Sequence, residues 1–128
     1  MERRLISSGS PYEPVAGFSR AVRVGRHVFV AGTAPIMPGG VEPPNDVYGQ
    51  TRRCLEIIGE ALEEAGAGFE HVVRTRAYAT SSDLFDGFAR AHGEVFADIR
   101  PASAFIVVAA LADPHWLVEL EADALVPD

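Results

Sequence analysis

The sequence contains no lysine: all 11 basic residues among its 128 are arginines, set against 18 acidic residues and a net charge of -7. Without an amine side chain, no residue side chain can form a Schiff base, and a Walker-A phosphate site would lack its lysine. Arginine keeps its charge in proteins, so these cations suit anion binding rather than proton transfer. The acidic balance also argues against sequence-independent binding of nucleic acid, which depends on clustered positive charge.

Cysteine is almost absent as well, and Cys54 alone cannot form an intrachain disulfide, which fits a reducing compartment. The segment Met1–Ser7 has no apolar core, and no apolar run approaches the roughly 18 residues that span a bilayer. A chain of this length falls within the usual size of one domain, so residues 1–128 are predicted to form a single domain. We therefore expect a cytoplasmic protein with no membrane or nucleic-acid partner.

Hydrophobic periodicity predicts six strands and two helices. The predicted strands cover residues 5–8, 19–25, 27–32, 72–80, 103–111 and 116–125, and the helices begin at Asn45 or Asp46 and at Ser82 or Asp83. The order β-β-β-α-β-α-β-β predicts an α+β two-layer domain, with a six-stranded mixed sheet and two helices on one face.

The strand at 103–111 is apolar on both sides, which is typical of a strand buried on both faces. Two helices on one face would leave the other face uncovered. A large uncovered apolar surface usually marks contact with another chain, so we expect a homo-oligomer.

Few residues suggest chemistry by themselves. The four histidines show no metal-ligand spacing, so no metal is expected, and His92 falls on the apolar stripe of the second helix. Glu119 shares a strand face with other carboxylates; this pattern fits either a solvated face or a carboxylate that orients a water. Gly32 and Thr33 end a strand, either in a simple turn or where backbone comes close to a ligand.

Six stretches together resemble the RidA/YjgF family of reactive-intermediate deaminases, also called L-PSP endoribonucleases. They are residues 18–25, 28–35, 50–55, 72–78, 100–103 and 118–122, so the resemblance covers nearly the whole chain. It implies a chorismate-mutase-like fold and a homotrimer with small-molecule ligands in clefts between subunits. It also implies hydrolysis of enamines and imines to keto acids and ammonia without a cofactor.

The resemblance carries over to individual residues only in part. Glu119 matches the strand glutamate of the family. Gly32 matches the position at which the family uses the backbone. Phe18 stands where the family has a tyrosine, and Ala89 stands where it has an asparagine. Ser103 stands where the family has the arginine that binds the substrate carboxylate, in the motif Pro-Ala-Arg-Ser.

Loss of that arginine removes a charge-assisted contact of roughly 1.5–3 kcal/mol, which corresponds to about 10- to 100-fold in affinity for a small anion. Arg20 or another arginine could replace it in space. Otherwise the cleft would favour a less anionic ligand. Phe18, Phe105 and Ser103 would then surround Glu119. The backbone N–H groups near Gly32 and Thr33 would hold the polar end of the ligand.

Three hypotheses follow from the sequence. The first is a divergent hydrolase in which Glu119 positions or deprotonates the attacking water. The second is a non-catalytic trimer that binds a small metabolite. The third, an endoribonuclease, has the least support because the chain has no lysine and no evident pair of acid–base histidines.

Overall fold

The computed structural model describes residues 2–128. The strands are β1 (Arg3–Ile6), β2 (Ala21–Val24), β3 (His27–Thr33), β4 (Val72–Ala79), β5 (Ala102–Val107) and β6 (Val118–Leu125), and the helices are α1 (Tyr12–Ala16), α2 (Val47–Glu64) and α3 (Phe85–Phe96). The predicted order of strands and long helices is confirmed. The short helix α1 was not predicted, because residues 9–14 are rich in glycine and proline and indicated a loop.

The six strands form one sheet in the order β1-β2-β3-β6-β4-β5. All neighbouring strands are antiparallel except β4 and β5, which are parallel. A parallel pair needs a crossover, and α3 supplies it. The sheet is therefore mixed, as the sequence predicted.

Helix α2 begins where a side chain can cap it. Asp46 Oδ1 accepts a hydrogen bond from the Gly49 N–H at 2.6 Å, which satisfies one of the unpaired donors of the first turn. One side of the helix is buried on the sheet, with Cys54 and Leu62 at 0% exposure and Ile58 at 1%. Because α2 and α3 cover one face only, alternate residues of each central strand point to the opposite, uncovered face.

The prediction for the strand at 103–111 is wrong in two respects. The strand ends at Val107, and most of its side chains are exposed rather than buried on both faces. The reason is topological, since β5 is an edge strand that pairs only with β4. Ile106 and Val107 remain 39% and 51% exposed in a single chain.

A register shift also changes the facing of β4. The sequence pattern placed Val73 on the same face as the buried Thr75. The pairing with β6 is irregular between Val72 and Arg74, so Val73 turns outward and is 51% exposed. A bulge of this kind inserts an extra residue and breaks the two-residue alternation.

Candidate functional site

Glu119 lies on the uncovered face of the sheet. Its neighbours Val118 and Leu120 are fully buried on the other face, so the pleat of β6 directs Glu119 away from the core. The carboxyl group is partly desolvated, which raises its pKa, and the nearby Arg20 partly offsets this effect. Glu119 is thus a half-buried carboxylate of raised pKa, and perturbed carboxylates of this kind are frequent at functional sites.

Gly32 lies directly against this carboxylate. A Cβ atom built on Gly32 would lie 2.6 Å from Glu119 Oε2, closer than real contacts allow. The approach arises from an irregularity in the pairing of β3 with β6 between Val30 and Thr33. Glycine is needed here because of this close contact and not because of a left-handed backbone.

Arg20 contacts the backbone of Gly32 through its guanidinium group. Its Nη2 donates to the Gly32 carbonyl oxygen at 2.7 Å, and its guanidinium carbon lies 5.7 Å from the centre of the Phe18 ring. Only 6% of Arg20 is exposed. Phe18, Arg20, Gly32 and Glu119 therefore form one connected group, which we call the Glu119 group.

Thr33 follows Gly32 at the end of β3. It is fully buried, and its hydroxyl donates to the Ala31 carbonyl oxygen at 2.8 Å. The side-chain hydroxyl is thus engaged within β3, and the whole residue is closed to solvent in a single chain.

Substitution of Gly32 by alanine is expected to displace the Glu119 carboxylate, with little loss of stability because that carboxylate ends a flexible side chain. A shift of a catalytic group by about 1 Å costs on the order of 100-fold in rate, so a catalytic role for Glu119 predicts a loss of this size. The measurement is kcat beside the urea midpoint of unfolding. The matched control is Gly93→Ala in α3, where a Cβ would meet no atom within 4 Å. A Gly32→Ala protein with the rate of the Gly93→Ala protein would contradict the assignment.

Ser103, Thr75 and His92 form a chain of hydrogen bonds where β5 meets α3. The Thr75 hydroxyl donates to Ser103 Oγ at 2.8 Å and lies 2.9 Å from His92 Nε2. Because Thr75 has one hydrogen, this arrangement uses the histidine tautomer that donates from Nε2. Burial lowers the pKa of His92, which favours its neutral form. Ser103 is exposed and keeps its own hydroxyl hydrogen for an outside partner.

Phe105 and Ala89 lie on the same side of the sheet as Ser103. The Phe105 ring packs against Phe85 and Phe88 of α3, with ring centres 5.2 and 5.1 Å apart. Ala89 is partly buried and packs against the core. These residues and Ser103 make up a second group, which we call the Ser103 group.

The hydrogen bonds among Ser103, Thr75 and His92 predict how a substitution of Thr75 changes the free energy of unfolding. A second buried threonine of the same protein provides the control. Thr75 is 2% exposed, so Thr75→Val leaves His92 Nε2 without its partner and is expected to cost about 1–3 kcal/mol. The Thr51 hydroxyl is also buried but has no hydrogen-bond partner among the described residues. Thr51→Val is therefore expected to be neutral or stabilising in urea unfolding. Equal destabilisation by both substitutions would contradict this account.

The two groups do not meet within one chain. Glu119 alternates with the buried residues of β6, whereas Ser103 pairs in register with Thr75, a buried residue on the helix-covered face. The expectation that Ser103 and Phe105 surround Glu119 is therefore not met inside a single protomer. The sequence pattern did not show this, because it does not give the facing of an edge strand.

A groove of about 640 Å³ lies on the uncovered face beside Phe18. Arg76 spans its floor, with Nη1 at 3.3 Å from Glu121 and 3.4 Å from Asp123, and the Tyr78 hydroxyl donates to Glu121 at 2.8 Å. These contacts occupy the carboxylates next to Glu119, which itself is not in this hydrogen-bond network. Glu119 is therefore the carboxylate of β6 that lies outside this network.

Other reactive side chains are engaged in the core or unsuited to a ligand. Cys54 is fully buried, and burial raises the pKa of its thiol, which makes it a poor nucleophile. Within residues 2–128, no cluster of three or more histidine, cysteine or acidic side chains has a geometry that could hold a metal ion. In the same residues, none of the helices is both long and apolar enough to cross a membrane.

Comparisons with known proteins agree with this geometry. A family model described as Endoribonuclease L-PSP matches residues 9–126. An uncharacterised protein of Streptomyces coelicolor is 39% identical over 121 residues, which cover 94% of this chain and 90% of that protein. A 2-iminobutanoate/2-iminopropanoate deaminase of Mus musculus is 30% identical over 124 residues, which cover 96% and 91%.

The fold is shared with a solved structure, that of Rv2704 from Mycobacterium tuberculosis, described as a member of the YjgF/YER057c/UK114 family. It matches with a TM-score of 0.90 and 42% identity, covering 98% of this chain and 100% of that one. The expected chorismate-mutase-like α+β fold is confirmed. The chain belongs to the Endoribonuclease L-PSP family, which is the RidA/YjgF family that its motifs resemble.

Proposed function

We propose that the protein is a homotrimeric, cofactor-free hydrolase that acts on a small reactive enamine, imine or related carbonyl compound in clefts between subunits. The observation that carries the proposal is the half-buried Glu119 carboxylate in contact with the Gly32 backbone. The relative from Mus musculus is named an imine deaminase, which supports the same reaction class.

The reaction needs one group that takes a proton and then returns it. Starting from the protonated imine, Glu119 accepts a proton from a water as the water oxygen bonds to the imine carbon and the carbon–nitrogen π pair moves to nitrogen, which gives a neutral carbinolamine. Glu119 then returns the proton to nitrogen. The carbon–nitrogen bond breaks as the hydroxyl gives its proton to Glu119, that proton leaves with ammonia, and the products are a carbonyl compound and ammonium. A carboxylate of raised pKa is a stronger base than an ordinary carboxylate, and its protonated form can return the proton, so it can serve in both steps.

The division of the candidate residues supports a site made by two subunits. Glu119 faces the uncovered side of the sheet, and Ser103 faces the helix-covered side. One copy could bring its Ser103 group to the Glu119 group of the next copy. The exposed apolar side chains of β5, such as Ile106 and Val107, support contact with another chain.

Ser103 supports a neutral rather than an anionic substrate. Its hydroxyl accepts from Thr75 and has one hydrogen to donate, which fits a carbonyl or amide oxygen. A guanidinium would instead favour a carboxylate through two charged hydrogen bonds. We therefore expect the ester or amide of a 2-imino acid to be a better substrate than the acid itself.

The test is ammonia release from imines formed in the assay by an amino-acid oxidase, with alanine and alaninamide as the two precursors. The expected result is faster ammonia release above the uncatalysed rate, with a larger effect for the alaninamide imine. Sedimentation equilibrium on the same sample should give three times the chain mass of 13.7 kDa. No acceleration for either imine would overturn the enzymatic proposal. A monomeric mass would overturn the proposal of a composite cleft, by which we mean a cleft formed by two subunits.

The second candidate is a non-catalytic trimer that binds a small metabolite. Ser103 favours it, because the arginine that binds substrate in the family is replaced by a hydroxyl already bonded to Thr75. Saturable binding of alaninamide or pyruvamide without acceleration of hydrolysis would support this candidate.

An endoribonuclease is the least supported function. Glu119, Glu121 and Asp123 share the uncovered face, where they would repel phosphate groups. RNA cleavage that persists through purification and disappears in the Glu119→Gln protein would restore that candidate.

A further inference from the structure

A second cavity lies inside one protomer, away from the face that carries Glu119. It has a volume of about 570 Å³, within the range of small-molecule sites. Its walls are the loop 8–12, the loop that follows β3, and α2. A smaller cavity of about 250 Å³ adjoins it, and both are lined by Ser8, Arg20, Ile57 and Glu60.

Two arginines line the larger cavity. Arg20 is 6% exposed, and its Nε is buried with no hydrogen-bond partner among the described residues. Arg53 has a side chain that is 18% exposed; its Nε donates to the Ile36 carbonyl oxygen at 2.7 Å, and its Nη1 lies 3.6 Å from Glu56. This leaves the Arg53 Nη2 group for a ligand, and the Ile36 contact holds the guanidinium in place.

The rest of the wall limits what can bind there. Ile36, Met37 and Ile57 give the cavity an apolar side, and Glu60 is the one acidic residue in its lining. Glu13 and Glu119 lie near Arg20 and already balance part of its charge. The lining thus carries two arginines against one glutamate, and Glu13, Glu56 and Glu119 offset part of that positive charge from outside the lining, so a ligand with two negative charges is disfavoured.

We propose that this cavity binds a small aliphatic monocarboxylate, with its carboxylate between Arg20 and Arg53 and its carbon chain against Ile36, Met37 and Ile57. The Nη2 group of Arg53 can donate a charge-assisted hydrogen bond to a carboxylate oxygen, and Arg20 adds a second positive charge in the same lining. This site lies within one chain and shares Arg20 with the Glu119 group, whereas its test measures binding through Arg53 and does not depend on hydrolysis.

The test uses butanoate as the probe and isothermal titration calorimetry on the full-length protein. Butanoate should bind saturably, butanamide should not, and inorganic phosphate should compete more weakly than butanoate. Arg53→Gln should weaken butanoate binding about 10- to 100-fold, the usual effect of losing a charge-assisted hydrogen bond. The matched control is Arg52→Gln, which removes the same charge from an exposed position beside Tyr48.

Further variants distinguish an effect of the Arg53 charge on binding from an effect of the substitution on folding. Arg53→Lys keeps the charge without the fork, so it should recover part of the affinity that Arg53→Gln loses. Circular dichroism should show the same fold for all three variants, because Arg53 is at the surface of α2. The proposal is overturned if wild-type protein shows no saturable binding, if butanamide binds as well as butanoate, or if Arg53→Gln and Arg52→Gln bind butanoate equally.

Discussion

Substitution of Glu119 by glutamine is expected to lower kcat for imine hydrolysis by roughly 10²- to 10⁴-fold, the usual contribution of a general acid–base group. Glutamine keeps the shape of the side chain but can neither take a proton from water nor return it to nitrogen. Because Glu119 lies on the side of β6 away from the core, the protein should keep its fold and urea midpoint. The measurement is ammonia release under saturating imine.

The pH profile provides a second readout of the same substitution. Glu119 must be ionised to accept the proton, so the wild-type rate should fall as pH drops through its pKa, which burial raises above the usual carboxyl range. The matched control is Glu121→Gln, two residues along the same strand face, whose carboxylate already accepts from Tyr78 and Arg76. A Glu119→Gln protein as active as the Glu121→Gln protein, with an unchanged pH profile, would rule out the proposed role.

Substitution of Ser103 by arginine is expected to shift specificity from neutral to anionic substrates. A guanidinium at this position should strengthen binding of pyruvate by about 10- to 100-fold relative to wild type, because it adds charge-assisted hydrogen bonds worth roughly 1.5–3 kcal/mol. Binding of pyruvamide should weaken, since the Ser103 hydroxyl that would donate to its oxygen is gone. Titration calorimetry with both probes measures the two changes.

The control for the added charge is Ser103→Gln, which adds length and loses the Thr75 contact without introducing a cation. It should bind pyruvate no better than wild type. If Ser103→Arg and Ser103→Gln behave alike towards pyruvate, residue 103 does not face the ligand and the composite cleft is wrong. A gain confined to Ser103→Arg would support both the cleft and the preference of the wild-type protein for a neutral ligand.

The sequence alone determined the main elements of the fold. The apolar stripe of α2 and its start at Asp46 follow from local chemistry, namely hydrophobic periodicity and side-chain capping. The motifs also identified the family. They singled out Glu119 and Gly32, which the structure places in contact.

Several features of the candidate site depended on tertiary structure, because they arise between residues that are distant in the chain. The bulge in β3 brings Gly32 against Glu119, and the fold buries Arg20 so that it holds the Gly32 carbonyl. Nothing in the alternation near Arg20 marks it as buried, since an arginine is ordinarily exposed.

The direction in which Ser103 and Glu119 face also depends on tertiary structure. Ser103 reaches Thr75 and His92 because β5 runs parallel to β4 after the α3 crossover, and this pairing also leaves β5 at an edge. The sequence named Ser103 and Glu119 as parts of one site but could not show that they point to opposite sides of a single chain. Side-chain facing depends on strand register and on which strand occupies the edge, and both are set by long-range pairing rather than by local sequence.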